Sequence, residues 1–175
     1  MSWYVLQCRT GQEEEILRMC RRKLSESVLE DAFMFRAERL WRGPGGIWKI
    51  IVKDMFPGYV FLQSSERERL SKELDICRPV VHVLEESGYL ISVYDEEERY
   101  LRQLCGNRHV MRLSYGYRED GVDHIVDGPL KGMEDRIIRA DWHRRFAKID
   151  IPVARKSAIV WAGLGLAREK RKEAL

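Results

Sequence analysis

The run Gly43-Pro44-Gly45-Gly46 constrains the fold most, because it is a strong turn signal between two strand-like segments. The segments 32–42 and 47–54 flank this run and are rich in β-branched, aromatic and long apolar side chains. Strands joined by so short a turn pair with each other in antiparallel fashion. Residues 32–54 are therefore predicted to form a protruding β-hairpin.

The segments around this hairpin alternate between strand and helix patterns. Strand-like runs lie at 2–8, 59–62 and 80–84, and amphipathic helix patterns begin at 12, 64 and 95. The third helix pattern ends at Gly106. The order strand, helix, hairpin, strand, helix, strand, helix predicts an α+β fold over residues 1–106. In this fold, helices pack against an antiparallel sheet to form a sandwich.

The last third of the chain has a different pattern. From residue 122 onward, short β-type runs at 124–126, 136–140, 147–151 and 158–161 are separated by turn residues. Short strands of this kind in about 54 residues predict a small β-barrel at 122–175. Gly116 and Gly121 interrupt the segment between the two patterns, so 107–121 is predicted to be a linker.

The net charge of +3 is unevenly distributed along the chain. Residues 1–105 carry 16 Lys and Arg against 18 Asp and Glu, whereas residues 122–175 carry 12 against 8. The C-terminal segment thus has an excess of four positive charges beside a slightly acidic N-terminal segment. This asymmetry indicates contact with a polyanion, and nucleic acid is the favoured class.

Catalytic and metal-binding patterns are weak. The four histidines are scattered, and none pairs with a cysteine or a carboxylate at the spacing of metal ligands. Cys8, Cys20, Cys77 and Cys105 are widely spaced, which argues against disulfides and a zinc ribbon. Three of them fall where a periodic pattern places apolar residues, which favours buried thiols. The longest apolar run, 158–166, is far shorter than the roughly 18 residues of a membrane span. We expect a cytoplasmic protein without enzymatic activity, cofactor, metal or membrane contact.

Two motifs carry a resemblance to a known family. The first is Trp3-Tyr4-Val5 with the Gly11 turn into a helix, followed later by Phe56-Pro57-Gly58-Tyr59-Val60-Phe61. The second is Val126-Asp127-Gly128-Pro129-Leu130-Lys131-Gly132, followed by alternating strands. Together they resemble the NusG family of transcription elongation factors. This resemblance implies an N-terminal NGN domain at 1–106 and a C-terminal KOW barrel at 122–175, and within the family the chain is most similar to the specialised LoaP and RfaH paralogues.

The family's NGN domain binds the clamp helices of RNA polymerase in an apolar depression. Carried over by motif, the resemblance implies that Tyr4, Phe56, Tyr59 and Phe61 form this contact. Rigid aromatic side chains suit an interface because they offer a large contact area at low entropic cost. The alternative is that the same side chains fill the core of the domain, since strand alternation sends residues to both faces.

Basic residues of the N-terminal segment provide a second implied contact. Arg9, Arg22 and Arg78 match positions at which the RfaH group touches the non-template DNA strand. An arginine can both pair with a phosphate and stack on an exposed base. A solvated helix face for Arg22 and a salt bridge for Arg78 are the alternatives.

The predicted hairpin interleaves cations with aromatic residues. Arg36, Arg39, Arg42 and Lys49 accompany Trp41 and Trp48 near its tip. This combination suits base stacking or contact with a protein. Packing of the two tryptophans against each other across the strands is the alternative.

The C-terminal segment carries cations and neighbouring aromatics that resemble the LoaP type, which implies binding to a structured hairpin in the nascent RNA. The candidate RNA-binding residues are Lys131, Arg136, Arg139, Trp142, His143, Arg144, Arg145, Lys148, Arg155 and Lys156. Structured RNA is recognised through its shape, its phosphates and the bases splayed from its loops. The alternative is a barrel whose charges only keep it in solution.

The sequence therefore predicts a monomeric factor that binds RNA polymerase and promotes antitermination of selected operons. A housekeeping NusG-type factor, whose KOW domain binds Rho or a ribosomal protein, is an alternative within the family. A ribosome-associated RNA-binding protein is an alternative from another class, because KOW barrels also occur there. The Gly and Pro content of 121–132 argues against a barrel that refolds into a helical hairpin.

Overall fold

The computed structural model of the chain describes residues 2–77 and 90–169. Its α-helices include α1 Glu13–Lys23, α2 Arg67–Cys77 and α3 Asp95–Cys105, and residues 167–169 are also helical. Its strands are β1 Ser2–Gln7, β2 Asp31–Phe33, β3 Arg36–Arg42, β4 Trp48–Asp54, β5 Tyr59–Ser64, β6 Ile91–Ser92, β7 Val110–Met111, β8 Ser114–Glu119, β9 Val122–Asp127, β10 Ile137–Asp141, β11 Phe146–Val153 and β12 Lys156–Leu166. The predicted mixed fold, with many strands and few helices, is confirmed.

The strands form three sheets. The first has the order β2-β5-β1-β6, and all of its neighbouring strands are antiparallel. The second has the order β4-β3-β7, and its antiparallel β3–β4 pair corresponds to the predicted hairpin over residues 36–54. Residues 32 and 33, predicted to begin the hairpin, instead belong to β2 of the first sheet. The third has the order β10-β11-β12-β8-β9, in which β8 runs parallel to β12. The predicted short strands of the C-terminal segment correspond to β9, β10, β11 and β12.

Alternation along β1 and β5 gives the first sheet two different faces. Tyr4 pairs with Leu62, and both side chains are buried together with Ile16 and Leu17 of α1 and Leu70 of α2. Both helices thus cover this face, because the spacing of their apolar residues places those side chains on one side. The next positions along the strands point to the opposite face, where the aromatic residues lie.

The turn after β4 is held in place by a buried carboxylate. Gly58 has a φ of +83°, a left-handed conformation that glycine adopts most readily. Its N–H donates to Oε1 of Glu13 over 2.6 Å, and the N–H of Gly11 donates to Oε2 over 2.7 Å. Glu13 therefore ties the start of α1 to two glycine turns.

The described chain divides into two compact units that interleave in sequence. Unit 1 contains β1, α1, β2, β5, α2, β6, the first part of α3 and the turn Val153–Lys156. Unit 2 contains β3, β4, the last part of α3, β7 to β10 and most of β11 and β12. The hairpin thus belongs to the same unit as the C-terminal sheet.

The segment 107–121, which was predicted to be a linker, contains β7 and β8. These strands pair in parallel with β3 and β12, which are remote in sequence, so a local pattern gives little sign of them. The division into domains at 1–106, 107–121 and 122–175 stays a prediction. The strand predicted at 80–84 lies outside the described residues.

Candidate nucleic-acid interface

A cavity in unit 2 brings together the tip of the hairpin, the loop between β10 and β11, and the end of β12. Its volume is about 300 Å³. Aromatic and cationic side chains line most of its wall, and among the described residues no carboxylate contributes to it. The lining residues are Arg42, Trp48, Trp142, His143, Arg145, Leu166 and Arg168.

The register of the hairpin places Arg42 and Trp48 on the same side. The two residues are direct cross-strand partners, and the Arg42 guanidinium carbon lies 5.9 Å from the centre of the Trp48 ring. Trp41 is instead the partner of Lys49, so it points to the other face of the hairpin. The proposed packing of Trp41 against Trp48 is therefore wrong, because a shift of one residue reverses the face.

Arg145 forms the floor of the cavity. It is 8% exposed, and its two terminal nitrogens donate to the two carboxylate oxygens of Glu169 over 2.9 and 2.8 Å. Its guanidinium carbon also lies 5.5 Å from the centre of the Trp48 ring. The hydrogen bond from Arg145 holds the pKa of Glu169 below its usual value, so the pair stays ionised at neutral pH.

The loop that presents these groups has a fixed shape. Arg145 has a φ of +62°, and its carbonyl accepts a hydrogen bond from the N–H of Leu164 over 3.0 Å. The N–H of Arg144 donates to Oδ1 of Asp141 over 2.8 Å. The indole N–H of Trp142 donates to Oδ1 of Asp123 over 2.7 Å, which fixes the ring.

The remaining charge of the cavity is positive. Glu169 neutralises Arg145, whereas Arg42 and Arg168 are exposed cations and His143 is an exposed imidazole. Indole rings beside exposed guanidinium groups can stack on a base and attract a phosphate. This chemistry suits an unpaired nucleotide.

The other predicted RNA-binding cations lie on several parts of the fold. Arg139 is the cross-strand partner of Lys148, whose Nζ lies 4.8 Å from the centre of the Trp161 ring. Arg136 lies over Tyr100 at 5.6 Å, and Lys131 is exposed.

Two further candidates, Arg155 and Lys156, belong to unit 1. The Arg155 guanidinium lies over Tyr94 at 5.0 Å, and its backbone N–H donates to Glu97 over 3.0 Å. The fold therefore gathers only Trp142, His143 and Arg145 of the predicted set into the cavity.

Three of the four aromatic residues predicted to bind polymerase lie together. The ring centre of Phe56 is 6.3 Å from that of Tyr59 and 5.8 Å from that of Phe61. Phe56 and Phe61 are buried, and Tyr59 is half-buried at the edge. Tyr4 is separate from them, because it faces α1 and α2 on the other side of the sheet.

Two residues extend this aromatic cluster beyond the prediction. Phe33 stacks on Phe61 with ring centres 5.8 Å apart, and Trp3 meets Phe33 edge to face at 5.1 Å. Trp3 belongs to the same opening motif as Tyr4, but strand alternation places it on the opposite face.

The predicted DNA-binding arginines are only partly described. Arg9 and Arg22 are exposed in unit 1. Arg78 lies outside the described residues.

The described chain offers no group of three or more His, Cys, Asp or Glu side chains that could hold a metal ion. Cys8, Cys20 and Cys105 are buried, as predicted, and burial raises the pKa of Cys105 to about 12. Within residues 2–77 and 90–169, no helix is long and apolar enough to cross a membrane.

Sequence reasoning missed the combination of residues that lines the cavity. The alternation of cations and aromatics identified Arg42 and Trp48 as candidates for stacking, but not their proximity to residues 142–145. Arg168 was not among the predicted RNA-binding residues, since its segment has mixed charges. Only the long-range pairing of strands brings these side chains together.

The chain is similar to known proteins in sequence and in fold. The family model described as NusG, transcription termination factor nusG, matches residues 1–102. The transcription termination/antitermination protein NusG of Thermus thermophilus is 19% identical over 168 residues, covering 87% of this chain and 90% of that protein. A solved structure concerning domain interaction in Thermotoga maritima NusG has a TM-score of 0.50 at 20% identity and covers 93% of each chain. This structural likeness supports the fold.

Proposed function

This chain belongs to the NusG family of transcription termination and antitermination factors, and from that premise we propose that it promotes processive antitermination of selected operons. Members of the family are non-enzymatic transcription factors that interact with RNA polymerase and other partners. The N-terminal NGN domain would bind the polymerase, and the basic C-terminal KOW barrel would bind a structured segment of the nascent RNA. The factor would act in the cytoplasm as a monomer.

The cavity built around Trp48 and Arg145 is the observation that carries the RNA part of this proposal. It combines two indole rings with exposed cations, and no carboxylate belongs to its lining within residues 2–77 and 90–169. A surface that only keeps a protein in solution does not require rings fixed by hydrogen bonds, such as that of Trp142. RNA loops present unstacked bases and phosphates that such a surface can bind.

The contact with polymerase is proposed for the aromatic face of the first sheet. Phe56 lies beside both Tyr59 and Phe61 there. Because Phe56 and Phe61 are buried, Tyr59 supplies the half-exposed edge of this face, with its hydroxyl group. Tyr4 would support this face from the core rather than touch the clamp helices. A factor that prefers the closed, elongating polymerase suppresses the paused state in proportion to that preference.

The non-template DNA strand is a secondary proposed contact. Arg9 and Arg22 are exposed and available for phosphate pairing. Because residues 1–105 carry slightly more acidic than basic side chains, we propose that Arg9 and Arg22 make a local contact with DNA rather than general DNA binding.

A protein partner for the C-terminal sheet is the second candidate. Large apolar side chains are exposed on β10 and β12, where Ile138 is 57%, Ile159 52% and Trp161 38% exposed. Exposed apolar residues of this size are typical of protein interfaces when they cluster. Rho or a ribosomal protein, as in a housekeeping NusG-type factor, would be such a partner, and a ribosome-associated role would require co-purification with ribosomal subunits.

An in vitro transcription assay tests the proposal. Purified full-length protein is added to polymerase on templates that carry the leader of the operon encoding it and a downstream terminator. We expect readthrough that depends on the leader and falls several-fold in the His143→Ala/Arg144→Gln double variant. Readthrough that is equal on templates without the leader would contradict operon selectivity. Co-purification of the wild-type chain with polymerase or with ribosomal subunits separates the remaining alternatives.

A further inference from the structure

We propose that the hairpin tip and the C-terminal sheet together form a pocket for one unpaired nucleotide of the RNA, with Trp48 as a stacking surface. This inference rests on the proposed RNA-binding function and adds residues to it that lie outside the C-terminal segment. Arg42 and Arg168 are the phosphate-contacting groups of the pocket.

The first support is the composition of the pocket wall. Trp48 and Trp142 supply aromatic surface, and Arg42 and Arg168 are exposed cations at the wall. The carboxylate beside the pocket, Glu169, is occupied by its two hydrogen bonds to Arg145. A ligand with a planar ring and a negative charge satisfies these groups, whereas an uncharged apolar ligand leaves the cations desolvated.

The second support is the size of the pocket. About 300 Å³ lies at the lower end of the range for small-ligand sites. This space suits a single nucleotide rather than a helical stem. A stem would be held by phosphate contacts outside the pocket, from exposed cations such as Lys131 and Arg144.

The third support is the rigidity of the groups that surround the pocket. The Trp142 ring is fixed by Asp123, and the Arg145 guanidinium is held by Glu169 and lies over the Trp48 ring. Groups already held in place lose little conformational entropy when a ligand binds. Arg42, with one 3.4 Å hydrogen bond to the Gly46 carbonyl, can reorient towards a phosphate.

The test measures binding of the full-length chain by fluorescence anisotropy at one fixed salt concentration. The probes are a labelled RNA stem-loop from the transcribed leader, a blunt RNA duplex of the same stem, and the DNA version of the stem-loop. The variants are Trp48→Ala, Trp48→Phe and Arg42→Ala. Trp41→Ala is the matched control, because Trp41 is a 49% exposed tryptophan on the opposite face of the same hairpin.

We expect Trp48→Ala to weaken binding of the RNA stem-loop by about tenfold, the effect of losing one stacked base. Trp48→Phe should recover most of this loss because it keeps an aromatic face, and Trp41→Ala should bind like the wild type. Affinity for the blunt duplex should be unchanged in all variants. The proximity itself is checked with 5-iodouridine in the loop, which should crosslink to a peptide containing Trp48.

The outcomes distinguish a failure of the proposed nucleotide pocket from a failure of the proposed RNA-binding function. If the wild type binds the RNA stem-loop and Trp48→Ala, folded by circular dichroism, binds it equally well, the pocket is overturned and RNA binding stands. If the wild type binds none of the RNA probes, the proposed function fails and the pocket with it. If the DNA stem-loop binds as tightly and with the same dependence on Trp48, the assignment to RNA is overturned. A loss of polymerase binding alone in the Trp48 variants would identify a protein ligand instead.

Discussion

At the scale of single residues, Arg145 combines two features that are uncommon in one position. Its backbone is in the left-handed region, and its side chain is almost fully buried while carrying a charge. A buried guanidinium is tolerated when it is paired and hydrogen-bonded, and Glu169 supplies both contacts. The ion pair thereby keeps the floor of the cavity in one arrangement.

The pair predicts a specific dependence of stability on pH. The pKa of Glu169 is lowered in the folded chain. The ionised carboxylate therefore stabilises the folded chain at pH values above its ordinary pKa of 4.5, and this stabilisation disappears as the pH falls through the lower pKa of the folded state. Glu169→Gln should cost about 1 kcal/mol at pH 7, a figure reduced for the 41% exposure of the carboxylate. Denaturant unfolding from pH 7 to pH 3 should show this difference vanish at the acid end.

The control for this prediction is Asp135→Asn. Asp135 is 80% exposed and lies 4.0 Å from Arg136, so its replacement should change the stability by less than about 0.5 kcal/mol. Equal effects of the two substitutions at pH 7 would mean that burial of Arg145 does not strengthen its ion pair.

At the scale of secondary structure, Glu13 links the first helix to the bend before β5. It is 5% exposed and accepts hydrogen bonds from the N–H groups of Gly11 and Gly58. Glu13→Ala would leave both donors unsatisfied, and we expect a loss of about 3 kcal/mol in the free energy of unfolding. Urea titration measures this loss, and Glu15→Ala in the same helical turn, where the side chain is exposed, should stay within about 0.5 kcal/mol of the wild type.

A loss in Glu13→Ala no larger than that in Glu15→Ala would contradict the assigned role of the carboxylate. The three acids in the first turn of α1 all suit the helix dipole. A sequence pattern does not distinguish Glu13 from its neighbours, because the second glycine turn is 45 residues away.

The hairpin illustrates which features a sequence pattern can predict. Two β-type runs around Gly43-Pro44-Gly45-Gly46 were sufficient to predict the β3–β4 pair. They did not fix the register, which depends on the turn Pro44–Gly46 and decides which side chains share a face. The aromatic cluster shows the same limit, since Tyr4 was chosen from a motif whose neighbour Trp3 faces Phe33.

At the scale of the whole molecule, the cavity depends on contacts between distant segments. Residues 42 and 48 reach residues 142–145 only because the hairpin and the C-terminal sheet belong to one compact unit. The composition of each segment was visible in the sequence, but their proximity was not. The charge asymmetry could be predicted, because a count of charges needs no contacts.

This asymmetry leads to a prediction about the salt dependence of RNA binding. If RNA contacts the exposed cations of the C-terminal segment, each contact releases counterions, and the logarithm of the affinity falls with the logarithm of the salt concentration. Lys131→Gln and Arg144→Gln should each weaken binding of the leader stem-loop and reduce this slope by about 0.7. Arg67→Gln removes the same charge from an exposed site on α2 in unit 1, and its slope should equal that of the wild type. If Arg67→Gln reduced the slope as much as Lys131→Gln and Arg144→Gln, RNA binding would depend on the total charge of +3 rather than on the positions of the cations. A distant cation such as Arg67 can act only through the overall electrostatic field.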